Sequence, residues 1–141
     1  MLEDVKDWKT KLTEQEKHFL THIFRFFTQG DVDVAGGYVN NYLPYFPQPE
    51  VRMMLAGFAA REALHVAAYS HLIETLGMPE STYNEFLEYE AMKQKHEYFL
   101  SIAGQDSKTI AQQIAAFSAF TEGMQLFSSF IMLLNFPRHG K

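Results

Sequence analysis

Glu62-Ala63-Leu64-His65 sets a carboxylate and an imidazole three positions apart. On a helix such residues share a face, about 5–6 Å apart at Cβ. A carboxylate that bridges two metal ions, beside an imidazole on one of them, needs that spacing. The pattern is short, and it equally describes a surface pair or a hydrogen-bonded core histidine. Its surroundings add weight, since Phe58, Ala59, Ala60, Ala63, Leu64, Val66, Ala67 and Ala68 flank it. A charge buried among such residues must be paired or metal-bound. Glu122 is the only acid after Asp106 and lies within the apolar run Ala115 to Met124. An unpaired buried carboxylate costs several kcal/mol or takes up a proton, and a hydrogen-bonded core glutamate is the plainer alternative. Asp31 and Asp33 follow Phe26-Phe27-Thr28-Gln29-Gly30. By themselves they read as turn or cap residues, and either is an equal candidate for a third acid. Tyr69 follows His65 by four residues and Glu62 by seven, on the same face. It is a ligand, a redox group or packing. His71 and Glu74 fall on the opposite side.

Helices are the elements that must position these groups. Thr13-Glu14-Gln15-Glu16 has the form of a capping box. Phe19, Leu20, Ile23, Phe24, Phe26 and Phe27 then follow helical spacing. The first helix is expected to reach Leu43, distorted near Gly30, Gly36 and Gly37, before Pro44, Pro47 and Pro49 force a connection. A second helix is expected from Pro49, with Gly77-Met78-Pro79 as its stop. A third spans roughly 81 to 103 and is the more polar. The fourth runs from near Ser107 to about Asn135, with Pro137 as its end. It is apolar nearly all round, the mark of a buried helix, yet three neighbours, one half polar, are few to cover it.

Composition bounds the rest. The 141 residues are 47% hydrophobic and 15% aromatic, with no cysteine and a net charge of −5. That size and content suit one domain, residues 1–141, and exclude a disordered chain. The lack of cysteine excludes disulfides, thiolate zinc sites and cysteine nucleophiles, and suits a reducing, cytoplasmic setting. The acidic balance argues against a nucleic-acid partner. No uninterrupted apolar run reaches about 18 residues, so no membrane span is expected, and the first residues lack a signal-like apolar core.

From about Leu12 to Lys141 the chain resembles the small, radical-generating (beta) subunit of class I ribonucleotide reductase, most like phage and enterobacterial types. Three stretches carry the resemblance. They are Phe26-Phe27-Thr28-Gln29-Gly30-Asp31, Ala60-Arg61-Glu62-Ala63-Leu64-His65-Val66-Ala67-Ala68-Tyr69-Ser70-His71, and Phe120-Thr121-Glu122-Gly123-Met124 with Phe127 and Phe130 beyond. The 31-residue gap between Asp31 and Glu62 also fits, favouring Asp31 over Asp33.

The resemblance implies an all-α, ferritin-like bundle, incomplete here, with four main helices. It implies a di-iron or manganese/iron centre in which Asp31 and His65 bind one metal, Glu62 bridges and Glu122 binds the second. Tyr69 would hold the tyrosyl radical formed when the reduced metal pair meets oxygen, and Phe117, Phe120, Phe127 and Phe130 would help cage it. It implies a large (alpha) subunit as partner, to which the radical is relayed for ribonucleotide reduction. The family's second Glu-x-x-His has no counterpart, because after Glu122 the only histidine is His139 and no acid follows. Its relay tryptophan, which Trp8 does not clearly match, and its docking tail are also unmatched. The expectation is therefore an N-terminal fragment with four of six ligands, binding metal weakly alone, its uncovered last helix buried in a homodimer or swapped assembly. A helical interaction module without chemistry, or another ferritin-like di-metal oxidase, stands as the alternative.

Overall fold

A computed structural model describes residues 2–102 and 104–141, and among them there are helices and no strand. Helix α1 (Leu2–Thr10), which the sequence reading did not include, is followed by α2 (Glu14–Gly37). The capping box at the start of α2 forms as expected. Glu16 N–H donates to Thr13 Oγ1 at 3.3 Å, and Thr13 N–H donates to the Glu16 carboxylate at 2.9 Å. Beyond Gly37 the helix widens into a π-helical stretch, Tyr38–Tyr42, and closes with Leu43–Tyr45. It thus continues past the expected end at Leu43. Pro44 lies in the first turn of that closing segment, where a missing N–H is harmless.

Helix α3 (Pro49–Leu76) has proline in its first turn and ends at Gly77, whose φ of 72° is left-handed. Gly77 N–H donates to the Glu74 carbonyl and Met78 N–H to that of Ile73, closing the helix as the Gly-Met-Pro signal predicts. The single third helix expected over 81 to 103 is instead two pieces. A short α4 (Ser81–Asn84) leads into a 3-10 turn, Glu85–Glu88, and α5 (Glu90–Ser101) starts after Tyr89, which is extended. Tertiary contacts hold the first piece out of line with α5. Glu85 pairs with Arg25 of α2, and the Tyr83 hydroxyl donates to the Ser70 carbonyl of α3. The expected end at residue 103 lies outside the described residues.

Helix α6 spans Ser107–Arg138. Asp106 caps it, accepting from Lys108 and Thr109 N–H, and its centre, Ala115–Leu126, is π-helical. Pro137 does not end it, as the sequence suggested, but sits inside the last turn before the helix closes at His139. A proline this near the C-terminus forfeits one backbone bond and leaves no long helix beyond it to disrupt.

Helices α2 and α3 form the packed spine, with two apolar clusters along it. One gathers Leu20, Phe24, Ile73 and Leu76, with Trp8, Leu133 and Phe136 against them. The other gathers Val34, Tyr42, Leu55, Ile110 and Phe117, with Tyr38 and Phe99. In sequence Asp31 falls between Phe24 and Val34, and Glu62 between Leu55 and Ile73, so the acids form a polar layer between two greasy ones. Helix α6 is not the buried helix its composition suggests. Ile110, Gln113, Ala116, Phe117, Thr121 and Ser129 are buried, whereas Phe120, Phe127, Ile131 and Leu134 are exposed. Among the described residues this is one helix long and apolar enough to cross a membrane by length and composition. The sequence reading expected no span, and length and composition alone do not overturn it. Glu122, at the middle of this helix, lies in the field of the acid layer.

Candidate metal centre

Helix α2 delivers Asp31 and α3 delivers Glu62 and His65, three residues apart on one face. Asp31 and Glu62 are buried, at 5% and 6% exposure. His65 Nδ1 lies 2.9 Å from Glu62 Oε2 and 3.8 Å from Asp31 Oδ2. One ligand atom from each of the three falls within 4.8 Å of the others. Ligand atoms around one small ion stand about 3–4 Å apart, so modest side-chain rotation closes this set on a cation.

The electrostatics show what the cluster lacks. Asp31 Oδ2 is buried without a hydrogen-bond partner. Burial, then the Glu62 carboxylate, push the Asp31 carboxyl from 3.8 up to about 7, with His65 pulling it down and Glu122 adding a smaller push upward. Two buried acids side by side with one imidazole are short of positive charge, and a divalent cation is the group that supplies it. Glu122 comes from the π-helical stretch of α6. Burial and Glu62 raise its carboxyl while His65 lowers it, so it shares the field of the cluster, though it stands outside the three-residue group.

Asp33, an equal candidate by local sequence but disfavoured by the gap to Glu62, is engaged elsewhere. Its carboxylate contacts His96 Nδ1 at 2.9 Å and accepts from Gln29 Nε2 at 2.9 Å. The two-residue offset turns it away from Asp31, toward α5. His71 and Glu74 are exposed, on the side the spacing assigned them.

Tyr69 sits one turn beyond His65. Burial, then Asp31, Glu122 and Glu62, raise its phenol to about 12, so it keeps its proton at neutral pH. Its ring stacks on Phe27 at 5.0 Å, and Phe27 touches Phe130 at 5.6 Å. The expected cage is only partly present. Phe117 belongs to the second apolar cluster, stacked on Phe99 at 4.3 Å, and Phe120 and Phe127 face outward. Those positions followed from the family resemblance, and the stretch from Ala115 to Leu126 that holds two of them is π-helical. The sequence reading missed Phe27 as the aromatic wall of Tyr69. It also missed Tyr38, whose phenol burial raises, with Glu62 and Glu122 adding to the shift. Tyr38 follows Asp31 by seven residues, as Tyr69 follows Glu62, so the same spacing could have found it.

A family model for the ribonucleotide reductase small chain matches residues 1–141. The chain belongs to that family. It is 54% identical to a probable ribonucleoside-diphosphate reductase small subunit of Invertebrate iridescent virus 6, over 99% of this chain and 43% of the relative. It is 58% identical to the corresponding probable subunit of Invertebrate iridescent virus 3, over 99% of this chain and 42% of the relative. A ribonucleoside-diphosphate reductase small subunit of Dictyostelium discoideum is 30% identical over 97% of this chain and 41% of its own length. The high-identity relatives are thus proteins of invertebrate viruses, beside the phage and enterobacterial types to which the sequence was likened. The chain spans about two fifths of the length of these relatives. The family implies a metal centre, and the donor set of two carboxylates and an imidazole suits iron or manganese.

Proposed function

We propose that this chain carries one side of the metal and radical centre of a ribonucleoside-diphosphate reductase small subunit. In this reading Asp31 and His65 hold one ion, Glu62 bridges, Glu122 holds the second, and Tyr69 is the radical-bearing residue. The observation that carries it is the gathering of Asp31, Glu62 and His65 within 4.8 Å around a buried, unpartnered Asp31 oxygen. The bound iron or manganese pair would supply one-electron oxidation driven by oxygen. The chain's own residues do the rest. Glu62 and His65 Nδ1, 2.9 Å apart, would present neighbouring donor atoms to the same ion. Phe27 covers one face of Tyr69 and keeps water from it. Tyr69 holds its phenol proton until an electron leaves, and Asp31, Glu62 and Glu122 are the nearby bases to receive that proton. The remaining ligands, a second Glu-x-x-His, would come from sequence of the kind that makes up the rest of the relatives. The completed small subunit would pass its oxidising equivalent to a large subunit that reduces ribonucleotides.

The exposed side of α6 supports an assembly as the working form. Phe127, Ile131 and Leu134 are each more than 60% exposed on one helix, and apolar patches of that kind rarely stay bare. A homodimer or swapped pair would cover them. Light scattering at micromolar concentration tests this, and a monomer refutes it.

Iron or manganese titration of the 141-residue chain, followed by absorbance and electron paramagnetic resonance, tests the centre. Weak binding of about one ion, lost in Glu62→Ala, with no lasting radical, is the expected result. Two tightly held ions with a sharp signal from Tyr69 would show that the site is complete without further ligands. Unchanged binding in Glu62→Ala would defeat the assignment altogether.

A further inference from the structure

A second group of donors lies near the start of α2, made of nitrogen alone. His18 and His22 are one turn apart on one helix face, and their Nε2 atoms approach to 3.1 Å with the rings edge-on at 4.4 Å. Tyr89 packs on the His22 ring at 4.1 Å, holding it in place. His22 Nδ1 is buried without a hydrogen-bond partner, which leaves Nε2 as the nitrogen His22 presents outward. Burial, then His18 and Arg25, lower the imidazolium stability of His22, so its ring is neutral and its lone pair available.

The separation of the two nitrogens decides what fits between them. Neighbouring nitrogens each about 2.05 Å from one ion stand about 2.9 Å apart in square or octahedral geometry and about 3.3 Å apart in tetrahedral geometry. The observed 3.1 Å lies between those values. Two histidines four apart on a helix are also a known zinc-holding arrangement. Without an ion, two facing imidazoles can share only one proton across this gap.

We propose that His18 and His22 form a two-imidazole chelate for a late first-row divalent cation of the zinc, nickel or copper class, with water filling the remaining positions. The chelate is separate from the acid cluster. His22 precedes Asp31 by nine residues, about 13 Å along a helix axis, so no ion is shared. The two sites also differ in chemistry. Nitrogen donors alone favour the late metals, whereas an oxygen-rich set accepts iron or manganese.

Zinc titration of the full 141-residue chain, read by the ring-proton resonances of each histidine in NMR, tests the proposal. The resonances of His18 and His22 are expected to move together, saturating at one ion for the pair. His18 is exposed, and His18→Ala keeps a good helix former there. It should weaken the His22 response at least about tenfold, no less than the loss of an outer-shell partner costs at a metal site. His65→Ala should leave the His18 and His22 response intact while removing any zinc effect at the acid cluster. Silence of both resonances at millimolar zinc overturns the proposal. So does equal affinity in His18→Ala, or loss of the His18 and His22 response in His65→Ala.

Discussion

The seam between α2 and α3 and the outer side of α6 are made of similar residues and end in opposite states. At the seam two carboxylates are buried, Asp31 at 5% and Glu62 at 6% exposure, while on α6 Ile131 stands 70% exposed. Hydrophobicity alone does not decide what is inside. The seam is closed because two long helices lie along each other and tolerate acids that a cation can balance. Helix α6 has neighbours on one side only, where Ile110, Phe117 and Thr121 are buried. The seam thus takes in two carboxylates, while large apolar side chains of α6 stay open to solvent.

That contrast can be broken by paired substitutions. The largest effect is expected in the seam, where Ile73 is 1% exposed. Ile73→Ala should cost about 2–5 kcal/mol in urea unfolding, and a cost under about 1 kcal/mol would mean the seam is loosely packed. Next comes pH. The Asp31 carboxyl is raised from 3.8 to about 7 in the folded, metal-free chain, so the native state binds a proton that the unfolded state has released. Stability should therefore be highest near pH 4 and fall as pH rises through about 7, by about 2–4 kcal/mol in total. Asp31→Asn should flatten that slope, and so should a bound divalent cation. A profile that rises over the same interval would sink this account of the acid layer. A smaller loss, about 1 kcal/mol, is expected for Thr13→Ala, which removes the cap of α2. The smallest is expected for Ile131→Ala on the open side of α6, within about 0.5 kcal/mol for the monomer. If that substitution destabilises the protein by more, and more so at higher protein concentration, the exposed side is an interface between copies.

Much of the fold was legible because local chemistry decides it. The capping box at Thr13, proline at the start of α3 and glycine at its end each act within one turn, and each forms as read. The register of Glu62, His65 and Tyr69 was legible for the same reason, since α3 is regular. Features set by tertiary contact were not. Nothing local marks Tyr89 as a break, because the break is held by Glu85 on Arg25 and Tyr83 on Ser70. The gap to Glu62 already favoured Asp31 over Asp33, but the contact of Asp33 with His96, 63 residues away in sequence, was not legible. The π-helical course of α6 was not announced either, so which aromatic rings face Tyr69 was not legible. Buried Gln113 went unnoticed as well. Its side-chain amide donates to the Ile102 carbonyl at the end of α5, a bond between elements that no motif announces.

Phe27 touches both Tyr69 and Phe130. One ring thereby links three helices, and the linkage works in both directions. Lifting α6 from the spine would strip Phe27 of its Phe130 backing and open the Tyr69 phenol to solvent.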